Sequence, residues 1–244
     1  MKTLGILETG LPPDHLAPEH GSYVEMMAAL VNSASAEPAF NYRGYCVLED
    51  EFPAAPDECD GWIITGSKHG VYDELPWIAP LKVLVQKIYQ AKIPLVGICF
   101  GHQIMVEALG GKVMKSDKGW GLGLQQYHYQ PEALPAWLPA DSPTLTLNAI
   151  HQDQVMEIPA EASVFAASDF CPYAGLAYGD QAFSLQPHPE FSVGYEQALI
   201  EYRRGSVFPE EVSDKALNGL QAHNTVADAA LVGQWMHDFF QQRA

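Results

Sequence analysis

The sequence has few positive charges. Its 244 residues include 13 Lys and Arg against 30 Asp and Glu, which gives a formal net charge of −17 at neutral pH. A nucleic-acid-binding surface needs cations to displace the counterions that condense on phosphates, and anionic membranes attract basic segments. The charge balance therefore argues against nucleic acid and membranes as partners, and it favours a soluble protein.

Long apolar runs and cysteine pairs are also missing. No stretch approaches the ~18 consecutive apolar residues of a transmembrane helix. The first ten residues, MKTLGILETG, are interrupted by Glu8 too early for the apolar core of a signal peptide. The four cysteines, Cys46, Cys59, Cys99 and Cys171, include no CxxC pair. Unpaired thiols are typical of a reducing compartment, so we expect a cytoplasmic protein.

The remaining composition is that of a globular chain, with 48% apolar and 18% charged residues. Short apolar runs typical of strands alternate with amphipathic segments typical of helices. Strands are predicted over residues 3–7, 42–48, 61–65, 94–98, 123–129, 144–150, 164–167, 174–178 and 182–185. Helices are predicted over residues 20–33, 77–91, 102–109, 192–203, 209–219 and 225–242. This alternation predicts a single α/β domain over residues 1–244, with a parallel sheet covered on both faces.

One segment carries a candidate nucleophile. Residues 97–101, Gly-Ile-Cys-Phe-Gly, have the form G-x-C-x-G and join a predicted strand to a predicted helix. This is the pattern of a nucleophile elbow, in which Ser or Cys occupies a sharp strand-to-helix turn. The glycines leave room for the turn, and the free N–H groups at the helix start favour a thiolate. The alternative is a buried structural cysteine, but the flanking glycines and the strand–turn–helix context favour a nucleophile.

A nucleophilic cysteine needs a base, and the base needs an orienting group. Three of the nine histidines are candidates, of which His102 lies in the first turn after the elbow and is interpreted as structural. His151 follows a predicted strand. His188 lies in Gln-Pro-His-Pro-Glu, where the prolines favour an extended chain that projects His188 and Glu190 to the same side. A carboxylate beside an imidazole fixes its tautomer and raises its basicity. A solvated loop and a metal ligand are the alternatives, and no neighbouring His or Cys has metal-ligand spacing.

The segments GICFGHQ (97–103) and QPHPE (186–190) together resemble the motifs of the class I, or triad-type, glutamine amidotransferases. The resemblance extends from residue 61 to residue 191. It implies a flavodoxin-like, doubly wound α/β fold, with a mostly parallel sheet, helices on both faces and the nucleophile at the carboxyl edge of the sheet. Because the sequence contains no P-loop and no synthase segment, it is more similar to the stand-alone subgroup that includes the γ-glutamyl peptidases.

The resemblance implies a role for each residue of a catalytic triad. Cys99 matches the nucleophile, His188 matches the base, and Glu190 matches the carboxylate that orients it. The backbone N–H groups of Gly66 and Phe100 match the oxyanion hole.

The resemblance also implies substrate contacts. Gln103 matches a residue that contacts the glutamine substrate. The segment His151, Gln152 and Asp153 matches the loop that receives the amino-acid head of the substrate. Neither a metal nor a cofactor is expected.

The expected reaction is cleavage of a γ-glutamyl amide through a γ-glutamyl thioester on Cys99. The substrate is either a γ-glutamyl peptide or glutamine, and in the second case ammonia passes to a separately encoded synthase subunit. Two other classes stay open. One is a non-catalytic, γ-glutamyl-binding or regulatory module on the same fold, and the other is a different cysteine chemistry, such as that of a peptidase or a chaperone-type relative.

Overall fold

The computed structural model describes residues 1–130, 135, 138, 143–221 and 228–244. The strands are β1 (Lys2–Glu8), β2 (Phe40–Cys46), β3 (Gly61–Ile64), β4 (Leu95–Ile98), β5 (Lys112–Lys115), β6 (Gly121–Tyr129), β7 (Thr144–His151), β8 (Asp153–Glu157), β9 (Ala162–Ala167), β10 (Gly175–Tyr178) and β11 (Ala182–Leu185). The α-helices are α1 (Ala17–His20), α2 (Tyr23–Asn32), α3 (Ile78–Gln90), α4 (Phe100–Ala108), α5 (Val193–Arg203), α6 (Glu210–Gln221) and α7 (Ala229–Arg243).

The large sheet has the strand order β2-β1-β3-β4-β11-β10-β9-β6-β7. The neighbours from β2 to β11 are parallel, and those from β11 to β7 are antiparallel. The central strands β3 and β4 are buried at every position, as expected of short apolar strands covered on both faces. In the register of β4 and β11, Ile98 lies opposite Leu185, so both strands end at the same edge of the sheet.

Helices cover both faces of the parallel strands. On one face, Val96 and Phe183 pack in a core cluster with Met27 of α2 and Phe239 of α7. On the opposite face, the cluster joins the strands to α3 and α4 through buried residues such as Ile104. Burying a side chain of this kind stabilises the fold by about 1.5–3 kcal/mol. The predicted α/β fold is therefore confirmed.

Local sequence explains where the helices begin. The predicted helix over 20–33 starts at Tyr23 because Ser22 and Glu25 form a capping box, with each side chain accepting the other residue's N–H. A separate short helix, α1, precedes it and ends at Gly21, whose φ is +80°. The predicted helix over 225–242 is present as α7, and residues 225–227 of that prediction lie outside the described residues.

Two strands were not predicted from the sequence. They are β5 and β8, which pair antiparallel in a small second sheet. Only Val113 of β5 is buried, and β8 buries Gln154 and Val155, so neither strand has the apolar run that marks a core strand. Among the described residues, no helix is both long and apolar enough to cross a membrane.

Candidate active site

Cys99 lies at the turn between β4 and α4. Its φ of +53° with ψ of −102° is a conformation that residues with a side chain rarely adopt, and such strain is found at functional sites. The two glycines of the motif are required by close approaches. A Cβ on Gly97 would lie 2.5 Å from the Gly101 carbonyl oxygen, and a Cβ on Gly101 would collide with the Ile64 carbonyl. The sequence therefore fixes a turn that presents the Cys99 thiol at the carboxyl edge of the sheet.

His188 and Glu190 reach the same edge from the end of β11. The His188 Nδ1 lies 2.7 Å from a Glu190 carboxylate oxygen, and both side chains are almost fully buried. The His188 N–H donates to the Asn148 carbonyl of β7 at 2.8 Å, and residues 189–190 form a turn, not the extended chain expected from the sequence. The Phe191 ring stacks on the imidazole with a centroid distance of 4.1 Å. Backbone and ring contacts together fix the orientation of the imidazole.

The imidazole also lies close to Cys99. The Cys99 thiol donates to the Ile150 carbonyl at 3.9 Å, and its interaction with His188 is strong enough to raise the pKa of the imidazole. Burial by itself lowers the pKa of His188, but the charge of Glu190 and the interactions with Cys99 raise the pKa well above its usual value. The structure thus brings Cys99, His188 and Glu190 together as a chain of contacts in which the imidazolium form is favoured.

The predicted oxyanion donors lie next to this chain of contacts. Gly66 follows β3, and its carbonyl accepts a hydrogen bond from the Thr9 hydroxyl at 3.1 Å. A Cβ on Gly66 would lie only 2.7 Å from the His188 Cε1. Phe100 begins α4 directly after Cys99. In the described part of the chain, the Gly66 N–H has no hydrogen-bond acceptor, and Phe100 occupies the first position of α4, where a backbone N–H has no partner within the helix.

The predicted substrate contacts line a pocket of about 350 Å³ that also contains Cys99. We call this cavity the acyl pocket; it includes Gln103, His151, Gln152 and Asp153. The Gln103 amide donates to the Asp153 carbonyl at 3.0 Å, and the His151 Nδ1 lies 3.2 Å from the same oxygen. Burial lowers the pKa of His151 to about 4, so this imidazole is neutral near pH 7. The pocket therefore presents the neutral side chains of Gln103 and His151 beside Cys99, together with charged groups such as the Asp153 carboxylate.

His102 contacts Ser184 of β11. Its Nδ1 is 2.7 Å from the Ser184 hydroxyl, the side chain is fully buried, and burial lowers its pKa to about 3. His102 is thus a neutral packing residue. No group of three His, Cys, Asp or Glu side chains in the described ranges is arranged to hold a metal ion.

Sequence reasoning missed several residues around the site. Asn148 donates its side-chain amide to the Phe191 carbonyl at 2.9 Å, so it holds the segment that carries His188. Glu196 of α5 is fully buried, accepts the Gly123 N–H at 3.0 Å, and has a pKa raised to about 8 by burial. A carboxylate on the buried face of a helix, among apolar neighbours such as Leu199, is the sequence signal that could have identified it.

A known protein family matches most of the chain. The family model described as glutamine amidotransferase class-I matches residues 22–203. The chain is 34% identical to γ-glutamyl peptidase 3 of Arabidopsis thaliana over 185 residues, which is 72% of this chain and 73% of the peptidase.

Two further comparisons concern larger and more distant proteins. The chain is 37% identical to the glutamine-hydrolysing GMP synthase of Listeria innocua over 132 residues, which is 53% of this chain but 24% of the synthase. A crystal structure of a glutamine amidotransferase from Thermotoga maritima superposes with a TM-score of 0.76 at 16% identity, covering 100% of this chain and 98% of that one. At that identity the structural likeness establishes a common fold.

Proposed function

Since the chain belongs to the class-I glutamine amidotransferase family, we propose that it cleaves the γ-glutamyl amide bond of a γ-glutamyl peptide or glutamine through a thioester on Cys99. The observation that carries the proposal is the buried chain of contacts from Cys99 through His188 to Glu190. In this arrangement a base contacts the nucleophile and a carboxylate orients the base.

In the first half of the reaction, the Cys99 thiolate attacks the side-chain carbonyl carbon of the γ-glutamyl group. Negative charge develops on the carbonyl oxygen, where the N–H groups of Gly66 and Phe100 stabilise it. One such donor is typically worth ~3–4 kcal/mol in the transition state. The C–N bond breaks as His188 gives its proton to the departing nitrogen, which leaves a γ-glutamyl thioester on Cys99.

In the second half, His188 takes a proton from water, and the hydroxide attacks the thioester carbonyl. The C–S bond breaks, glutamate leaves, and the Cys99 thiolate is restored. The raised pKa of His188 supports the protonated form that the first half requires. Glu190 stabilises the imidazolium and holds its Nδ1 proton, as expected of an orienting carboxylate.

Two substrates fit this mechanism, and the comparisons support each. The similarity to γ-glutamyl peptidase 3 favours a γ-glutamyl peptide, whose leaving group is an amino acid or peptide. The similarity to the GMP synthase favours glutamine as the substrate, with ammonia passed to a separately encoded synthase subunit. We place the reaction in the cytoplasm, where thiols stay reduced, because all four cysteines are free.

The direct test measures glutamate released by the purified chain from glutamine and from γ-glutamyl dipeptides, including glutathione. Cys99→Ala is expected to lose activity by at least about 10³-fold, because no other group supplies the nucleophile. The matched control is Cys59→Ala, which also truncates a buried thiol, on the opposite face of the sheet. Mass spectrometry of the quenched wild-type reaction should find one added γ-glutamyl group on Cys99.

The proposed function is wrong if Cys99→Ala releases glutamate as fast as the wild type. Release from glutamine only in the presence of a synthase subunit would favour the second substrate. Stoichiometric binding of γ-glutamyl compounds without release would identify a binding module.

A further inference from the structure

Two cavities meet at the candidate active site, and the proposed nucleophile and the proposed base line different ones. The acyl pocket contains Cys99 but not His188. A second cavity of about 300 Å³, which we call the base-side cleft, contains His188 and Gly66 but not Cys99. In amide cleavage the acyl group becomes attached to the nucleophile, whereas the departing nitrogen receives the proton of the base. The base-side cleft therefore lies where the leaving group must be.

The size and walls of the cleft are those of a binding site. Its volume lies at the lower end of the range for small-molecule pockets, and it is larger than the volume of an ammonia molecule. Its apolar walls include Leu11, Leu48, Trp77 and Leu199, which come from separate segments of the chain. Leu11 is 51% exposed, so packing in the protein core does not explain an apolar residue at this position. An apolar side chain of a substrate would cover this surface.

The charges of the cleft have one sign. Lys68 and Arg203 lie at the boundary that the two cavities share, and no Asp or Glu lines the base-side cleft. In the described parts of the chain, no carboxylate lies within ion-pair distance of either cation. In a protein with 30 acidic and 13 basic residues, two unpaired cations at a cleft without acids make a site complementary to an anion.

We propose that the base-side cleft binds the leaving group of a γ-glutamyl peptide, namely an α-amino acid with an apolar side chain and a free carboxylate. This inference rests on the proposed function and names the substrate for it. The leaving nitrogen lies at His188, the side chain lies on the apolar walls, and the carboxylate binds Arg203 and Lys68. When the C–N bond breaks, His188 supplies the proton, and the amino acid departs from the cleft with its amine restored.

The test compares two substrates that differ only in one charge, γ-glutamyl-leucine and γ-glutamyl-leucinamide, with glutamine as a third. The wild type is expected to prefer the free acid by at least about tenfold in kcat/KM, because a charge-assisted contact is roughly twice as strong as a neutral one. Arg203→Gln and Lys68→Gln should each reduce that ratio towards one. Lys112→Gln removes an exposed lysine of β5 that does not line the cleft, and it should leave the ratio unchanged.

A second pair of variants tests the apolar walls. Leu11→Ser should reduce the preference for γ-glutamyl-leucine over γ-glutamyl-glycine by about threefold or more. The matched control is Val83→Ser on α3, where a similarly exposed apolar side chain lies outside the cleft. Both positions are exposed, so neither change is expected to prevent folding.

The outcomes separate the inference from the function on which it rests. Failure of γ-glutamyl-leucine to give Cys99-dependent glutamate overturns the inference. Failure of all three substrates, tested also in the presence of a synthase subunit, overturns the proposed function as well. Cys99-dependent release with equal rates for the acid and the amide overturns only the inference. A uniform loss for all substrates in Arg203→Gln also overturns it, because the cations would then bind the γ-glutamyl head.

Discussion

Gly66 shows how a single residue limits the geometry of the site. A Cβ built at this position would lie 2.7 Å from the His188 Cε1, closer than real carbon atoms approach. We predict that Gly66→Ala displaces the imidazole from Cys99 and lowers kcat by at least about 100-fold. The free energy of unfolding should fall by about 1–3 kcal/mol, because the added methyl group overpacks the site. Glutamate release and urea denaturation measure the two effects.

Gly194→Ala is the matched control for this substitution. Gly194 lies in α5, close in sequence to the His188 segment, and its nearest neighbours would be 4.0 Å from an added Cβ. We expect wild-type activity and unchanged or slightly increased stability, because alanine favours a helix over glycine. Full activity in Gly66→Ala would show that the imidazole can move without loss of function.

The contacts of individual residues were predictable where a motif marks them. Cys99 and Glu190 each lie in a short motif with a mechanical reason for its spacing. Arg203 carries no such mark, because a basic residue near a helix C-terminus is common on any surface. Its position at the boundary of two cavities results from the packing of α5 against distant segments, which the sequence does not encode locally.

At the scale of elements, the site depends on two neighbouring strands. The strands β4 and β11 are parallel and adjacent in the sheet, although they are far apart in the sequence. The Cys99 N–H donates to the Leu185 carbonyl at 2.8 Å, which extends the pairing of the strands to Cys99 itself. The residues that follow the two strands therefore meet at one edge of the sheet, and this adjacency brings His188 to Cys99.

Strands β5 and β8 show why other elements could not be predicted. Each is short and mostly exposed, and their pairing buries Val113 against Val155 without an apolar run in either strand. Hydrophobic periodicity identifies strands that face a core with several side chains, whereas β5 and β8 contribute only Val113 and Val155 to the core cluster. The core strands and the long helices carried that signal, so the fold could be predicted in outline without this small sheet.

The helix α5 carries a buried acid that links it to β6. The Glu196 carboxylate accepts the Gly123 N–H at 3.0 Å, and burial raises its pKa to about 8 from a usual value of 4.5. Between these two values, the folded state keeps a proton that the unfolded state has released. The free energy of unfolding contributed by this group therefore falls as pH rises from about 4.5 to about 8.

Glu196→Gln removes this titration and keeps an oxygen that can accept the Gly123 N–H. We predict that the variant gains stability relative to the wild type as pH rises from 5 to 8, by an amount on the order of a few kcal/mol. Urea denaturation at both pH values measures the difference. Because the variant retains His102, His151 and His188, subtracting the two profiles isolates Glu196. Parallel profiles would show that this carboxyl does not bind a proton in the folded state near neutral pH.

At the scale of the whole molecule, the charge of −17 has a consequence for stability. Folding brings the excess acidic residues closer together, and like charges repel over a distance set by the ionic strength. That distance is about 30 Å at 0.01 M salt and about 8 Å at 0.15 M. The repulsion is therefore strong at low salt and largely screened at physiological salt.

We predict that the Tm at pH 7.5 rises by about 2–4 °C between 0.01 and 0.15 M sodium chloride, which corresponds to about 1 kcal/mol for a chain of this size. Differential scanning calorimetry measures the shift, and potassium chloride at the same ionic strength should give the same result, because screening depends on charge and not on the cation. Near pH 4.7, the isoelectric point, the shift should disappear because the net repulsion is gone. A Tm that falls with salt at pH 7.5 would mean that attractive ion pairs outweigh the repulsion among the acidic residues.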